Sequence, residues 1–473
     1  MKRDTEISEI LINETLDGEP IAETGKSRKR GAGDSPKAAA DATETHTANR
    51  YLSSKTSSKT VKKRPPIDKY IWGIYLCLLF VSIVELYSAS SSEVTGSNIF
   101  GPLIRHCIFL GIGFVLVLWL QRLHYGYFSR FAWFMAGISF ILLLIATFFG
   151  ADINGAQRAI IIGGFTIQPP EIVKLTVLVL LATILARNQR PGGVSTGAVV
   201  LVALVVMTFG GLLWINGLTN MIIMMIVSIA MFLIGGIQLK KLAAVFVAYG
   251  LCLGAFVTIK NATPSSAEYD SIGQTENAEA TIGRTATHEG RLSRYLKGVK
   301  PTDKIDDYNR QEMFARMAQA NGGFIGPGPG HSRENARLPL AFSDYIYSII
   351  VEDLGFLGGI GVLLLYLLLL GRAGRVAYKC NRAFPAFLIM GCAVLIVSQA
   401  LVHMAIVTGV APVSGQPLPF ISKGGTSIIV MSMAIGVMLS VSRYAVVSKD
   451  RKANKEELSK LSDGLQAANY SAQ

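Results

Sequence analysis

"LPLAFSDYIYSIIVEDLGFLGGIGVLLLYLLLLGR" (338–372) decides how the whole chain is read. From Tyr345 to Leu370 nearly every residue is apolar. A helix that crosses a bilayer needs about 20 such residues at roughly 1.5 Å each, so this run is long enough. Yet Asp344 stands at its head, and Glu352 and Asp353 lie deeper within it. A carboxylate deep in a spanning helix costs roughly 2.5–3.5 kcal/mol on insertion scales, so each one needs a reason. At about 100° per residue, Glu352 lies about 80° round from Asp344 and about 12 Å deeper, while Asp353 lies on the opposite face. Asp344 therefore belongs at the water–lipid boundary, where ionisation is cheap. It is either an N-cap or a working carboxylate, and Ser343 can cap in its place. Glu352 and Asp353 belong at depth, as structural polar residues paired with groups inside the bundle.

Nine further apolar runs lie near 70–90, 102–121, 130–150, 170–187, 195–214, 217–236, 241–260, 384–408 and 424–444. The chain has 473 residues, of which 51% are hydrophobic and only 16% charged, with a mean hydropathy of +0.42. That balance excludes an ordinary soluble domain and predicts an all-α integral membrane protein of about ten spans. Loop charge gives an independent check, because Lys and Arg collect on the cytoplasmic side. Arg122 and Arg130 follow the second span, Arg187 and Arg190 the fourth, Lys240 and Lys241 the sixth, and Arg372, Arg375, Lys379 and Arg382 the eighth. The short loops opposite hold only Arg158 and Lys423. Both termini are thus expected in the cytoplasm. The net charge of +13 is largely topology signal and tail, so no nucleic-acid surface is expected. The five cysteines (Cys77, Cys107, Cys252, Cys380 and Cys392) fall in or beside apolar runs without a CxxC pair. Neither a disulfide framework nor a zinc site is indicated.

Three regions follow. Residues 1–69 read as a disordered basic tail, rich in Thr, Ser, Ala, Lys and Glu and attracted to anionic membrane lipids through "SRKR" (27–30) and "VKKRPP" (61–66). The polar start "MKRDTEISEI" is unlike a cleaved signal peptide. Residues 70–444 form the membrane domain, and 445–473 a second cytoplasmic tail. Within the membrane domain, 261–343 is one long outer loop. Its segment 307–330 begins as an amphipathic helix with Met313, Met317 and Ala320 on one side, then enters a Gly-Pro turn.

Two more stretches place charge beside turn chemistry on the outer face. In "NGAQRAIIIGGFTIQPPEIVKLTVLVLLA" (154–182), Pro169-Pro170 signals a helix start and Glu171 suits its positive end. Glu171 and Lys174 are three apart and can pair, with Lys174 free to snorkel outward. In "TGVAPVSGQPLPFISKGGTSIIV" (408–430), prolines and glycines interrupt apolar sequence. Irregular backbone at membrane depth survives only where it lines a cavity or is buried in protein. Lys423 and the N–H groups of Gly424 and Gly425 just before the last span form a plausible anion site, or Lys423 is an interface anchor.

These residues resemble a known family. "YSAS" (87–90), "NGAQRAIIIGGFTIQPPEIVKL" (154–175), "AQANGGFIGPGPGHSRENARLPLAFSDYIYSIIVEDLGFLGG" (318–359) and "TGVAPVSGQPLPFISKGGTS" (408–427) are similar, in order and topology, to four blocks of the SEDS family (shape, elongation, division and sporulation proteins). The division members are nearest, and the resemblance runs from about 70 to 444. It implies a peptidoglycan glycosyltransferase of the bacterial inner membrane, at the division septum, polymerising lipid II into glycan strands. Asp344 then falls on the family's proposed catalytic aspartate, the general base for the acceptor sugar 4-hydroxyl. Arg158, Glu171 and Lys174 fall on family residues near the substrate cavity, with Lys423 and Ser422 as further substrate contacts. No cofactor is certain, a divalent cation such as Mg²⁺ being the candidate. A class B penicillin-binding transpeptidase and other division proteins are the implied partners.

The chain also departs from the family pattern. Ser343 replaces a His and Lys423 a Tyr; Arg-Arg-Trp reads Gln157-Arg158-Ala159; an Asp is lost in "NGLTN" (216–220); Phe314 stands for a Gln and His403 for an Asn. Two other functions compete: a lipid II flippase, and a non-catalytic scaffold of the division machinery. The polar residues cluster on the outer face rather than at the midplane, where transporter sites lie, and this favours the enzyme.

Overall fold

A computed structural model describes residues 67–90, 100–152, 157–162, 165–190, 193–238, 240–245, 309–335 and 341–444, with isolated positions between them. The two tails and most of the outer loop lie outside these residues. The helices run α1 Lys69–Ser90, α2 Phe100–Leu120, α3 Gly126–Phe149, α4 Pro169–Arg187, α5 Thr196–Asn216, α6 Leu218–Ile234, α7 Arg310–Gly322, α8 Ile346–Tyr378 and α9 Ala383–Val407. A last helix, α10, spans Gly425–Tyr444. Eight of these helices are long and apolar enough to cross a membrane. The expected sixth span, α6, is a shorter 17-residue helix, and most of the expected seventh, 241–260, lies outside the described residues.

The bundle has a core helix. In α4 every residue from Val173 to Leu185 is buried, as a helix apolar on all sides must be. Packed around it are α3, α5, α6 and α9. About 89% of the α4 span is buried, against 78% for α10, 72% for α9 and only 28–44% for α1, α2, α3, α5 and α8. The outer helices therefore turn broad apolar faces to lipid, while α4, α9 and α10 carry the interior.

The two ends of the bundle differ. At one end, Arg443 and Ser440 of α10 donate to the carbonyls of Gln121 and Leu123, and Arg372 pairs with Asp68 at 2.8 Å. The basic loops gather there. The other end carries a small antiparallel sheet of β1 Ala151–Asp152, β2 Gln157–Ile162 and β3 Phe165–Ile167, with Ile160 opposite Ile167. It also carries the segment 309–344 and a strap, 409–424, that leads into α10.

The outer helix α7 lies on α8, but not on the face expected from its bulky residues. Met313 is buried, whereas Met317 and Ala320 are exposed; the docking stripe is Ala315, Ala318 and Gly322. Small residues let the backbones meet: a Cβ on Gly322 would come within 1.9 Å of the Val351 carbonyl oxygen. Just below, α8 breaks at Gly355 (φ 72°, ψ −175°), a left-handed backbone that favours glycine. The loop after α7 fills the break. Phe356 N–H donates to the Gly323 carbonyl at 3.0 Å, and Gly328 N–H to the Asp353 carbonyl at 2.8 Å. The backbone groups freed by the break are thus satisfied by protein, as membrane depth requires.

Candidate active site at the outer end

The helix expected to begin at Asp344 begins two residues later. Tyr345 is the N-cap and makes no side-chain cap bond. Asp344 instead closes a turn, 341–344, and is half-buried. The strap meets this turn directly. Lys423 N–H donates to the Phe342 carbonyl at 2.9 Å, and its Nζ lies 4.0 Å from the centroid of the Phe342 ring, a cation–π distance. A lysine and a carboxylate far apart in sequence are therefore carried within two residues of one backbone contact. Gly425, expected to offer an anion-binding N–H, is packed on the Phe109 ring, where a Cβ would come within 2.6 Å.

The strap is irregular, and side chains from the surrounding helices take up its carbonyls one by one. His403 Nδ1 meets the Gln416 carbonyl at 2.6 Å, so that nitrogen carries the proton. Gln399 donates to the Pro417 carbonyl at 3.3 Å, Tyr366 to that of Pro419, and Ser82 to that of Ile421. Ser422, expected to contact substrate, is buried, and its hydroxyl accepts the Leu418 N–H at 2.7 Å. Its use is to close the turn. Phe420 is held at φ 69°, a conformation that bulky residues adopt only when their surroundings impose it.

Beneath the strap runs a buried polar ladder. Lys174 Nζ donates to Glu171 Oε1 and to Gln399 Oε1, both at 2.7 Å. Gln399 donates on to Ser427 at 3.3 Å. Lys174 does not snorkel outward, since its side chain is only 1% exposed. With α4 enclosed on every side from Val173 to Leu185, the Lys174 ammonium turns to the interior, whereas Arg187 at the end of the helix is exposed. Glu171 and Lys174 therefore hold α4, α9 and α10 together, and the mouth of the site lies above them. Arg158 is carried by β2, and its side chain lies outside the described part of the molecule.

Of the two deep carboxylates of α8, Asp353 meets a polar group on another helix, as expected, and Glu352 does not. Among the described residues Glu352 pairs with no cation. Its Oε1 accepts the N–H groups of Arg333 at 2.9 Å and Glu334 at 3.3 Å, and its Oε2 accepts the Ser332 hydroxyl. It fastens the outer loop, not a neighbouring helix. Asp353 accepts the Ser88 hydroxyl of α1, and Gly330 N–H donates to the same Ser88 oxygen at 2.8 Å. Charge-assisted bonds to a carboxylate are roughly twice as strong as neutral ones. Glu352→Gln is accordingly expected to lower stability by about 1–2 kcal/mol, read as earlier thermal unfolding in detergent and faster proteolysis within 323–335. Unchanged proteolysis there would show that another contact holds the loop.

Glu85 was missed. It lies in the first span, is fully buried, and neither oxygen has a hydrogen-bond partner among the described residues. A lone carboxylate inside "FVSIVELYSAS" (80–90) carries the same signal that singled out Glu352. Gln399 carried no comparable signal, because an uncharged amide in an apolar run resembles a tolerated polar residue. Among the described residues no three His, Cys, Asp or Glu side chains converge as ligands for a metal.

A bundle of eight helices long and apolar enough to cross a membrane, with a strap and a loop meeting at one end, defines a multi-span membrane protein with a candidate site at that end. The family model described as "Cell cycle protein" (FtsW, RodA and SpoVE) matches residues 68–446, and the chain belongs to that family. Stage V sporulation protein E of Bacillus subtilis is 30% identical over 393 residues, covering 82% of this chain and 99% of that protein. A "Probable peptidoglycan glycosyltransferase FtsW" of Trichlorobacter lovleyi is 29% identical over 396 residues, 80% of this chain and 95% of that protein. Two solved structures share the fold. One, described as "Structural coordination of polymerization and crosslinking by a peptidoglycan synthase complex", aligns with TM-score 0.61 at 24% identity, covering 80% of this chain and 98% of that one. The other, the Rod shape determining protein RodA of Thermus thermophilus, aligns with TM-score 0.55 at 22% identity, covering 80% and 97%.

Proposed function

We propose that the chain is a peptidoglycan glycosyltransferase that polymerises lipid II in the bacterial inner membrane during cell division, with Asp344 as general base. The observation that carries this reading is the meeting of the Asp344 turn with the Lys423 strap at one end of the bundle. In the reaction, the acceptor 4-hydroxyl attacks the donor anomeric carbon from the face opposite the leaving group. A new C–O bond forms, and the bond to the undecaprenyl pyrophosphate breaks. Asp344 takes the hydroxyl proton, and the pyrophosphate leaves with the bonding electron pair. A base must reach that proton and stay ionised; Asp344 is half-buried in the turn just before α8. Lys423 and Arg158 offset the charge growing on the pyrophosphate. Glu171, Lys174 and Ser422 act one layer below, by fixing the strap and the core helix.

The test is polymer formed on a gel from lipid II by the purified protein, with and without a class B penicillin-binding transpeptidase, the partner this reading implies along with other division proteins. Neutral variants of Arg158 and Lys423 are expected to slow polymerisation without changing expression. Normal rates in both would make them interface anchors. Orientation follows the basic loops: 261–343 outside, both termini in the cytoplasm. In a cysteine-free background, an impermeant thiol reagent is expected to label a cysteine at position 275 in intact cells but not at 40 or 460. Labelling at 40 would reverse the topology.

A further inference from the structure

Away from the mouth, a slot of about 320 Å³ runs between α5 and the helical stretch that begins at 240. Its walls include Val199, Ala203 and Met207 on one side and Ala244 on the other, and among the described residues Lys241 is the only charged one in the lining. The position of that charge is fixed by packing. Gln189 donates to the Gly235 carbonyl at 3.3 Å, so the loops before α5 and after α6 meet at one end of the bundle. Tyr249 donates to the Ala203 carbonyl at 2.8 Å. The two helices therefore run in the same direction, with Lys241 beside Thr196 at the mouth and the apolar walls rising behind it. From Thr196 to Met207 the slot is about 16 Å deep at 1.5 Å per residue. That is about half of the roughly 30 Å hydrocarbon core, one leaflet deep. Val200 and Leu204 on its rim are exposed, so the slot opens sideways towards lipid.

We infer that this slot seats one acyl chain of an anionic phospholipid of the cytoplasmic leaflet, with the lipid phosphate on Lys241. Arg187, Arg190 and Lys240 are exposed at the same end but are not among the residues that line the slot. A polyprenyl chain is several times longer than the slot and would project from it. Only the word cytoplasmic rests on the orientation proposed above; lipid retention in detergent is read without it, so either can fail alone.

The full-length protein in detergent is titrated with phosphatidylglycerol or with phosphatidylcholine of the same chains, and bound lipid is counted by native mass spectrometry. Phosphatidylglycerol is expected to be retained about fivefold better, the factor that one well-placed cation supplies. Lys241→Gln removes that preference, Lys241→Arg keeps it, and Lys240→Gln leaves it unchanged. Ala244→Phe, which fills the slot, lowers retention of both lipids, with thermal unfolding confirming that it folds. Equal retention of the two headgroups overturns the inference. So does a preference that survives Lys241→Gln, undiminished retention by a folded Ala244→Phe, or displacement of phosphatidylglycerol by an equimolar polyprenyl phosphate.

Discussion

Asp344→Asn is expected to lower glycan polymerisation by about 10²–10⁴-fold, the usual worth of a general base, while the protein inserts, folds and binds its transpeptidase as before. The substitution keeps the size of the side chain and its ability to accept a hydrogen bond, and removes its basicity. Asp344 is not the N-cap of α8: Tyr345 occupies that position. The turn that carries it is held from elsewhere, by the Lys423 N–H on the Phe342 carbonyl. The measurement is polymer formed from lipid II by the purified variant, beside its thermal unfolding in detergent. Near-normal polymer would remove Asp344 from the chemistry and favour the flippase or the scaffold. Loss of activity together with a large drop in unfolding temperature would instead assign Asp344 a structural role.

Much of the architecture was legible because lipid imposes a simple rule on sequence. Runs of apolar residues became α1 to α5 and α8 to α10, with ends displaced by a few residues, such as α3 starting at Gly126 rather than near 130. The β2–β3 hairpin went unread, although "AIIIGGFTI" (159–167) has the β-branched residues and Gly-Gly of a hairpin. The proline and glycine of the strap announced irregular backbone, but not which side chains would satisfy it, since His403, Gln399 and Tyr366 reach it from two different helices. Asp344 stood out by its place at a boundary, and only the family resemblance implied a catalytic role for it. The roles of Glu171 and Lys174 were harder to read. A helix apolar on every side gives no periodic signal of which face is inside, so sequence alone left Lys174 pointing towards water. The partners of Glu352 were hidden for another reason: backbone N–H groups at Arg333 and Glu334 leave no trace in residue type.

The ion pair of α4 yields the largest expected change in stability. Lys174→Met is expected to destabilise the protein by roughly 3–5 kcal/mol, because removing one partner leaves the other charge buried and unmatched. Glu171 is 2% exposed and its Oε2 already lacks a partner among the described residues, so it has no alternative to Lys174. Gln399 would lose its donor as well. The double variant Glu171→Gln with Lys174→Met removes both charges at nearly constant volume and is expected to recover most of the loss, since well-packed neutral residues often replace a buried pair at little cost. Thermal unfolding of both variants in detergent reads the stability, and lipid II polymerisation reads the role. If the pair is a brace, the double variant regains activity as it regains stability. If the pair touches substrate, the double variant is stable and inactive, and the site extends one layer deeper than Asp344 and Lys423. Unfolding of Lys174→Met at the parent temperature would mean that water reaches the pair, and that α4 is not the sealed core of the bundle.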